Sequence, residues 1–269
     1  MSINFAENRK TILSMRWQPN QDLIALGISW ILVVVAVYCA TFVIGSTLAG
    51  GMAYFGLYAV LGATFFGIGI PLYWTVAVRK RPVSDLGLTW DRLGLSIILQ
   101  LVFAALQFAG AYRDLQIPPL ESLLPLIALA LAIGFFEAIF WRGWVLLRLE
   151  ECFGLIPAIV IGSVLYSAYH IGYGMPVSEM VFLFFIGVMY AVAFRITKNV
   201  FMLWPVFQPM GQLVTLIRDG LSLPMIASLG FIEVVIVMWA LVWLASRYAK
   251  RLLKAQAGTR VAVSSARMN

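Results

Sequence analysis

From Leu23 to Val78 the chain contains no charged residue. A soluble domain of average composition places a charge at about one position in four, so a run of this length has no aqueous face to offer. A helix crosses the hydrocarbon of a bilayer with ~20 predominantly apolar residues. The run therefore holds two crossings, and Gly50 and Gly51 mark the turn between them. Over all 269 residues, 62% are hydrophobic and 12% charged, and the mean hydropathy is +0.93.

Eight crossings are predicted, at 23–48, 52–78, 93–112, 120–147, 157–173, 180–196, 200–217 and 224–246. The apolar runs are continuous. The strands of a membrane barrel would instead alternate apolar and polar residues in segments of ~10. Backbone polar groups in lipid must be satisfied internally, which leaves helices. The fold class is an all-α polytopic membrane bundle, one domain spanning 23–249, with no visible internal repeat. Residues 1–22 form a cytoplasmic segment without the short apolar core of a cleaved signal peptide, and they are expected to lie at the membrane interface. Residues 250–269 read as a basic, unstructured tail. The expected location is a bacterial cell membrane.

Orientation follows from the basic residues. With an even number of crossings and both ends cytoplasmic, 17 of the 19 Lys and Arg residues fall on the cytoplasmic side; Arg113 and Arg218 are the exceptions. This is the positive-inside pattern. The net charge of +7 is thereby scattered over loops. A nucleic-acid partner would need it gathered in one patch, and none is expected. Cys39 and Cys152 define no disulfide framework.

Ionisable groups inside a membrane are costly and mark functional sites. The candidates are Glu137, Arg142, His170 and Glu233. Glu137 and His170 lie on consecutive spans, each ~16 residues from the turn near Phe153 and Gly154. At ~1.5 Å per residue both sit ~24 Å along their helices, so in an antiparallel hairpin they share one depth. Gln208 and Gln212 are four apart on one helix face, between and beyond Pro205 and Pro209, which remove backbone hydrogen bonds and kink the segment. Glu233 is expected to pair with Arg142 or His170, or to stay neutral. Each has a bland alternative: Arg142 as a snorkelling or positioning group, His170 and the glutamines as hydrogen-bonding glue between helices.

The stretch FEAIFWRGWVLL, Phe136 to Leu147, resembles the first motif, Glu-Glu-x-x-x-Arg, of the CAAX prenyl endopeptidase and bacteriocin-processing (CPBP, Abi) family. Glu137, Arg142 and Gly143 match, Trp141 stands where an aromatic is common, and Ala138 replaces the second glutamate. Tyr166 and His170 match the second motif, Phe-x-x-x-His, with Tyr for Phe. The third, His-x-x-x-Asn or His-x-x-x-Asp, lacks its histidine. Gln208 and Gln212 are the candidate replacements, or Phe207 and Gly211 if the register shifts by one.

The resemblance spans about residues 130–215. It implies eight helices and an intramembrane endopeptidase acting on a lipidated or membrane-delivered peptide, with membrane lipid around it. In this reading Glu137 is the general base that activates water. His170, Gln208 and Gln212 donate to the developing oxyanion or hold the water, and Arg142 positions Glu137. Trp141, Tyr166 and Phe207 line the substrate path. No cofactor and no metal is expected: His170 is the single histidine, there is no HExxH, and a catalytic zinc takes three protein ligands. Two other readings stay open. One is a family member without catalysis that binds a membrane protein partner; the other is a transporter using Glu137 and Glu233 for protons or ions.

Overall fold

The computed structural model describes residues 15–43 and 48–266. All regular elements among them are helical. Helices α1 (Gln21–Val43), α2 (Ala49–Val78), α3 (Leu93–Ala111), α4 (Leu120–Phe153), α5 (Leu155–Tyr173) and α6 (Val177–Thr197) are each long and apolar enough to cross a membrane. A short helix α7 (Phe207–Arg218) and a long last helix α8 (Ala227–Ala266) follow. Seven helices among the described residues meet the length and hydropathy of a span, against the eight expected.

The difference lies at 200–217. Val200–Met202 makes one 3₁₀ turn, and α7 begins only at Phe207, for 12 residues. Pro205 has no N–H to donate and keeps helix from forming earlier. Pro209 falls in the first turn of α7, where backbone N–H groups have no helical partner to lose. The segment nevertheless advances beside α3 in the same direction. Asn199 Nδ2 donates to the carbonyls of Thr89 and Asp91, both at 2.9 Å. The Val206 N–H donates to Gln100 Oε1 at 3.1 Å, and Gly211 lies against Gln107.

At the N-terminal side, most of the stretch expected at the interface lies outside the described residues. Residues 15–20 have no regular structure, and the N–H groups of Arg16 and Gln18 donate to the carbonyls of Phe153 and Cys152. At the other end the expected unstructured tail is corrected: α8 continues as helix to Ala266.

The outer surface explains the composition. Ile24, Ile28, Ile31, Val35, Tyr38 and Phe42 of α1 recur every three or four residues and are each at least half exposed. In water such a stripe would drive aggregation; against acyl chains it costs nothing. Helix α4 is the centre. Its apolar window is 72% buried, against 50% or less for every other span. Helices α7 and α8 pack on it, α5 packs along α6, and α1 packs on α2. Two glycines on α4 permit close approaches. A Cβ at Gly134 would stand 2.6 Å from Cγ of Pro209, and one at Gly143 would stand 2.2 Å from the carbonyl oxygen of Leu86.

With 34 residues, α4 is ~51 Å long, well beyond the ~30 Å of hydrocarbon. Its end is capped by ion pairs. Arg81 and Arg148 both reach Glu151 at 3.0 Å, and Arg195 reaches Glu150 at 2.6 Å.

Candidate active site

Glu137 ends the regular α-helical part of α4. From Ala138 to Leu146 the helix widens to π-type hydrogen bonding, a local departure that is frequent at functional sites. The wider turn rotates the following residues, Trp141 and Arg142 included, around the axis relative to Glu137. Glu137 is 0% exposed, so each carboxylate oxygen needs a partner from the protein.

Both oxygens have one. Oε2 accepts from Gln208 Nε2 at 2.6 Å and from Gln212 Nε2 at 3.2 Å. Oε1 accepts from the hydroxyl of Tyr169 at 2.8 Å. The two glutamines are one turn apart on α7, and the contact of Gly134 with Pro209 brings that turn onto α4. Of the two candidate pairs, Gln208 and Gln212 face the carboxylate. Phe207 points the other way, stacking on Phe103 and edge-on to Tyr190.

His170 does not meet Glu137. Among the described residues no hydrogen bond joins them, which corrects the expected pairing. Its Nδ1 lies 2.9 Å from the carbonyl oxygen of Tyr166. A carbonyl can only accept, so Nδ1 carries the proton, and the neutral ring presents Nε2 as an acceptor. The group that does reach the carboxylate is Tyr169, one position earlier. Its ring lies 4.2 Å from the imidazole, centroid to centroid, and its hydroxyl also lies 3.3 Å from that of Tyr173. Tyr166, Tyr169, His170 and Tyr173 stand at helical i, i+3, i+4, i+7 spacing. That run of phenols on one face was the signal for Tyr169, and the two-residue motif passes over it.

Arg142 is 1% exposed and does not snorkel. Its guanidinium lies over the rings of Tyr166 and Tyr190, at 5.1 and 5.9 Å from their centroids. It forms no ion pair with Glu137 among the described residues, and Nε and Nη2 are buried without a hydrogen-bond partner. Trp141 and Tyr166 are 0% and 1% exposed and pack edge-on at 5.5 Å, with Tyr169 5.0 Å from Trp141. They form a wall behind the carboxylate and do not line an open channel: the site is closed in this conformation. Glu233 is a correction. It is exposed on the outward face of α8, turned away from Arg142 and His170. No three His, Cys, Asp or Glu side chains gather among the described residues.

What the arrangement offers is a buried carboxylate held by two amides and a phenol, with an imidazole acceptor behind the phenol. Residues 119–207 match the family described as type II CAAX prenyl endopeptidase Rce1-like. The matched segment runs from the start of α4 to the first residue of α7 and includes Glu137, Arg142, Tyr166, Tyr169 and His170. The resemblance carried by the first two motifs therefore holds over the matched segment, at the level of a CAAX-type intramembrane protease family, while Gln208 and Gln212 lie just beyond it. No curated protein matches the chain.

Proposed function

We propose that the protein is an intramembrane endopeptidase of the CAAX type, in which Glu137 activates a water molecule against a peptide bond of a lipidated or membrane-delivered substrate. The observation that carries this reading is the convergence of Gln208, Gln212 and Tyr169 on the one carboxylate buried at the centre of the bundle. Two separate helices, α5 and α7, are committed to holding that group in place, which is the preorganisation a general base requires.

The distances rank the contacts. Gln208 and Tyr169 make the short bonds and fix the carboxylate. Gln212, at 3.2 Å and half-buried, is the contact that yields. As substrate enters, Gln212 turns from Oε2 and a water takes its place. Glu137 removes a proton as the water oxygen bonds to the peptide carbon. The freed Gln212 amide donates to the oxyanion, a contact worth about 3 kcal/mol in a dry site. His170, through Nε2, accepts a hydrogen bond from the second hydrogen of the water, which stays on the oxygen. Glu137 then passes its proton to the leaving nitrogen as the carbon–nitrogen bond breaks. Residues 15–20 lie at the face that carries Arg79, Arg81, Arg148 and Arg195, the cytoplasmic one by the positive-inside rule.

A second reading rests on the same geometry. Every oxygen of Glu137 is occupied, and glutamine stands where the family has histidine; such a site suits a member that binds a membrane protein partner without cutting it. Peptide cleavage by the purified protein, by Glu137→Gln and by His170→Ala, with and without a chelator, separates the two. Chelator-insensitive cleavage lost in Glu137→Gln supports the peptidase. No cleavage by the wild type under any condition overturns it.

A further inference from the structure

Arg16 stands between two hollows of opposite character on the basic face. One is a polar cavity of about 250 Å³ reaching Ser84, Asp85, Arg148, Glu150, Glu151 and Lys198. The other is an open groove of about 410 Å³ between Met15, Trp17, Phe153, Pro157 and Ile161. Arg16 lines both. Its position is fixed by the backbone bond to Phe153 and by donation from Nη2 to the carbonyl of Glu150 at 3.1 Å.

Three cations and three carboxylates line the polar cavity, but the carboxylates are also held by Arg81 and Arg195 from outside it. Glu151 is held by Arg81 and Arg148, Asp85 by Arg81, and Glu150 by Arg195. Arg16 and Lys198 are left without an acidic partner among the described residues, and both are exposed at the rim. Beneath them Arg148 is 2% exposed, and its Nε is buried with no hydrogen-bond partner. A buried guanidinium N–H without an acceptor is costly. Two free cations above an unused buried donor suit a group with several anionic oxygens. The groove on the other side of Arg16 is apolar and opens toward the outward face of α5, where Val160, Ile161 and Val164 meet acyl chains. Both hollows lie at the end of the bundle where ion pairs give way to the apolar spans, the level at which lipid headgroups stand.

We infer that this junction is a binding site for one anionic phospholipid. Its phosphate lies against Arg16 and Lys198, above Arg148, and one acyl chain follows Trp17, Pro157 and Ile161. The site is independent of Glu137 and of any peptidase activity.

The test uses the full chain in detergent, with lipid binding counted by native mass spectrometry. Phosphatidylglycerol and phosphatidylcholine are the two lipids, and inorganic phosphate is the competitor. The expected result is one tightly retained phosphatidylglycerol, at least fivefold preferred over phosphatidylcholine. That preference is lost in Arg16→Gln/Lys198→Gln and kept in Arg16→Lys, and Ile161→Trp, which fills the groove, weakens retention at least fivefold. Equal melting temperatures without lipid establish that the variants are folded. Retention unchanged in the double variant overturns the site. So does full displacement by inorganic phosphate with no effect of Ile161→Trp, because the ligand is then a free anion and not an amphiphile.

Discussion

Gln208 donates to Glu137 at 2.6 Å, across 71 positions of sequence and at a depth with 0% exposure for either residue. Replacing Gln208 with Leu leaves a buried carboxylate one donor short. We expect a loss of about 2 kcal/mol of stability, read as a lowered midpoint of unfolding in mixed micelles. An unchanged midpoint would mean that water already satisfies Oε2.

The same pair bears on activity. Gln208→His with Gln212→Asn installs the family's third motif on the helix face that meets Glu137. A group that can carry a proton then stands where an amide cannot, and proton transfer of this kind is worth on the order of 100-fold. We expect peptide turnover to rise by about that factor. A double variant no faster than wild type would show that the missing histidine does not limit the rate.

Tyr169→Phe removes the hydroxyl that holds Oε1 and keeps the ring that packs on Trp141 and His170. A hydrogen bond to a charged group contributes about 2 kcal/mol. Turnover is expected to fall about tenfold with little change in KM, because the bond positions the base and does not touch substrate. A KM effect alone would place Tyr169 in substrate binding instead.

Glu233→Gln is expected to leave cleavage within about twofold, since the residue faces away from the site. Proton flux into vesicles that disappears in this variant would instead favour the transporter reading, and the peptidase assignment would have to give way.

Gly143→Ala tests the fold. The added methyl would fall 2.2 Å from the Leu86 carbonyl, where backbone must move. Overpacking of this kind costs about 1–3 kcal/mol. We expect a destabilised protein whose site chemistry is intact at low temperature. Wild-type stability would show that the loop holding Leu86 is free to shift.

Most of the architecture was legible because lipid imposes it: charge-free runs become helices, and basic residues mark one face. The failures have physical causes. Residues 200–217 are as apolar as a span, yet hydropathy does not register that Pro205 confines the helix to what lies beyond it. Glu233 was placed inward because, in a membrane, the outward face of a helix is as apolar as its packed face. Its rotation cannot be read from the pattern. The pairing of Gln208 with Gln212 on one helix face was readable from their four-residue spacing; that this face meets Glu137 was not. Tyr169 was not, since a phenol beside a motif histidine looks like ordinary aromatic packing until its hydroxyl is located.

Helix α7 has only 12 residues, ~18 Å of helix in a film ~30 Å thick. It is also the element that would move if a peptide is to reach a carboxylate sealed from both lipid and water. Its ends are therefore sensitive to bilayer thickness in a way that those of α4 and α8 are not. A thinner membrane relieves the mismatch and loosens the seal, so the proposed peptidase activity, measured in short-chain and long-chain lipids, should differ in speed with no change in its chemistry. The composition of the surrounding bilayer would then act as a throttle on proteolysis.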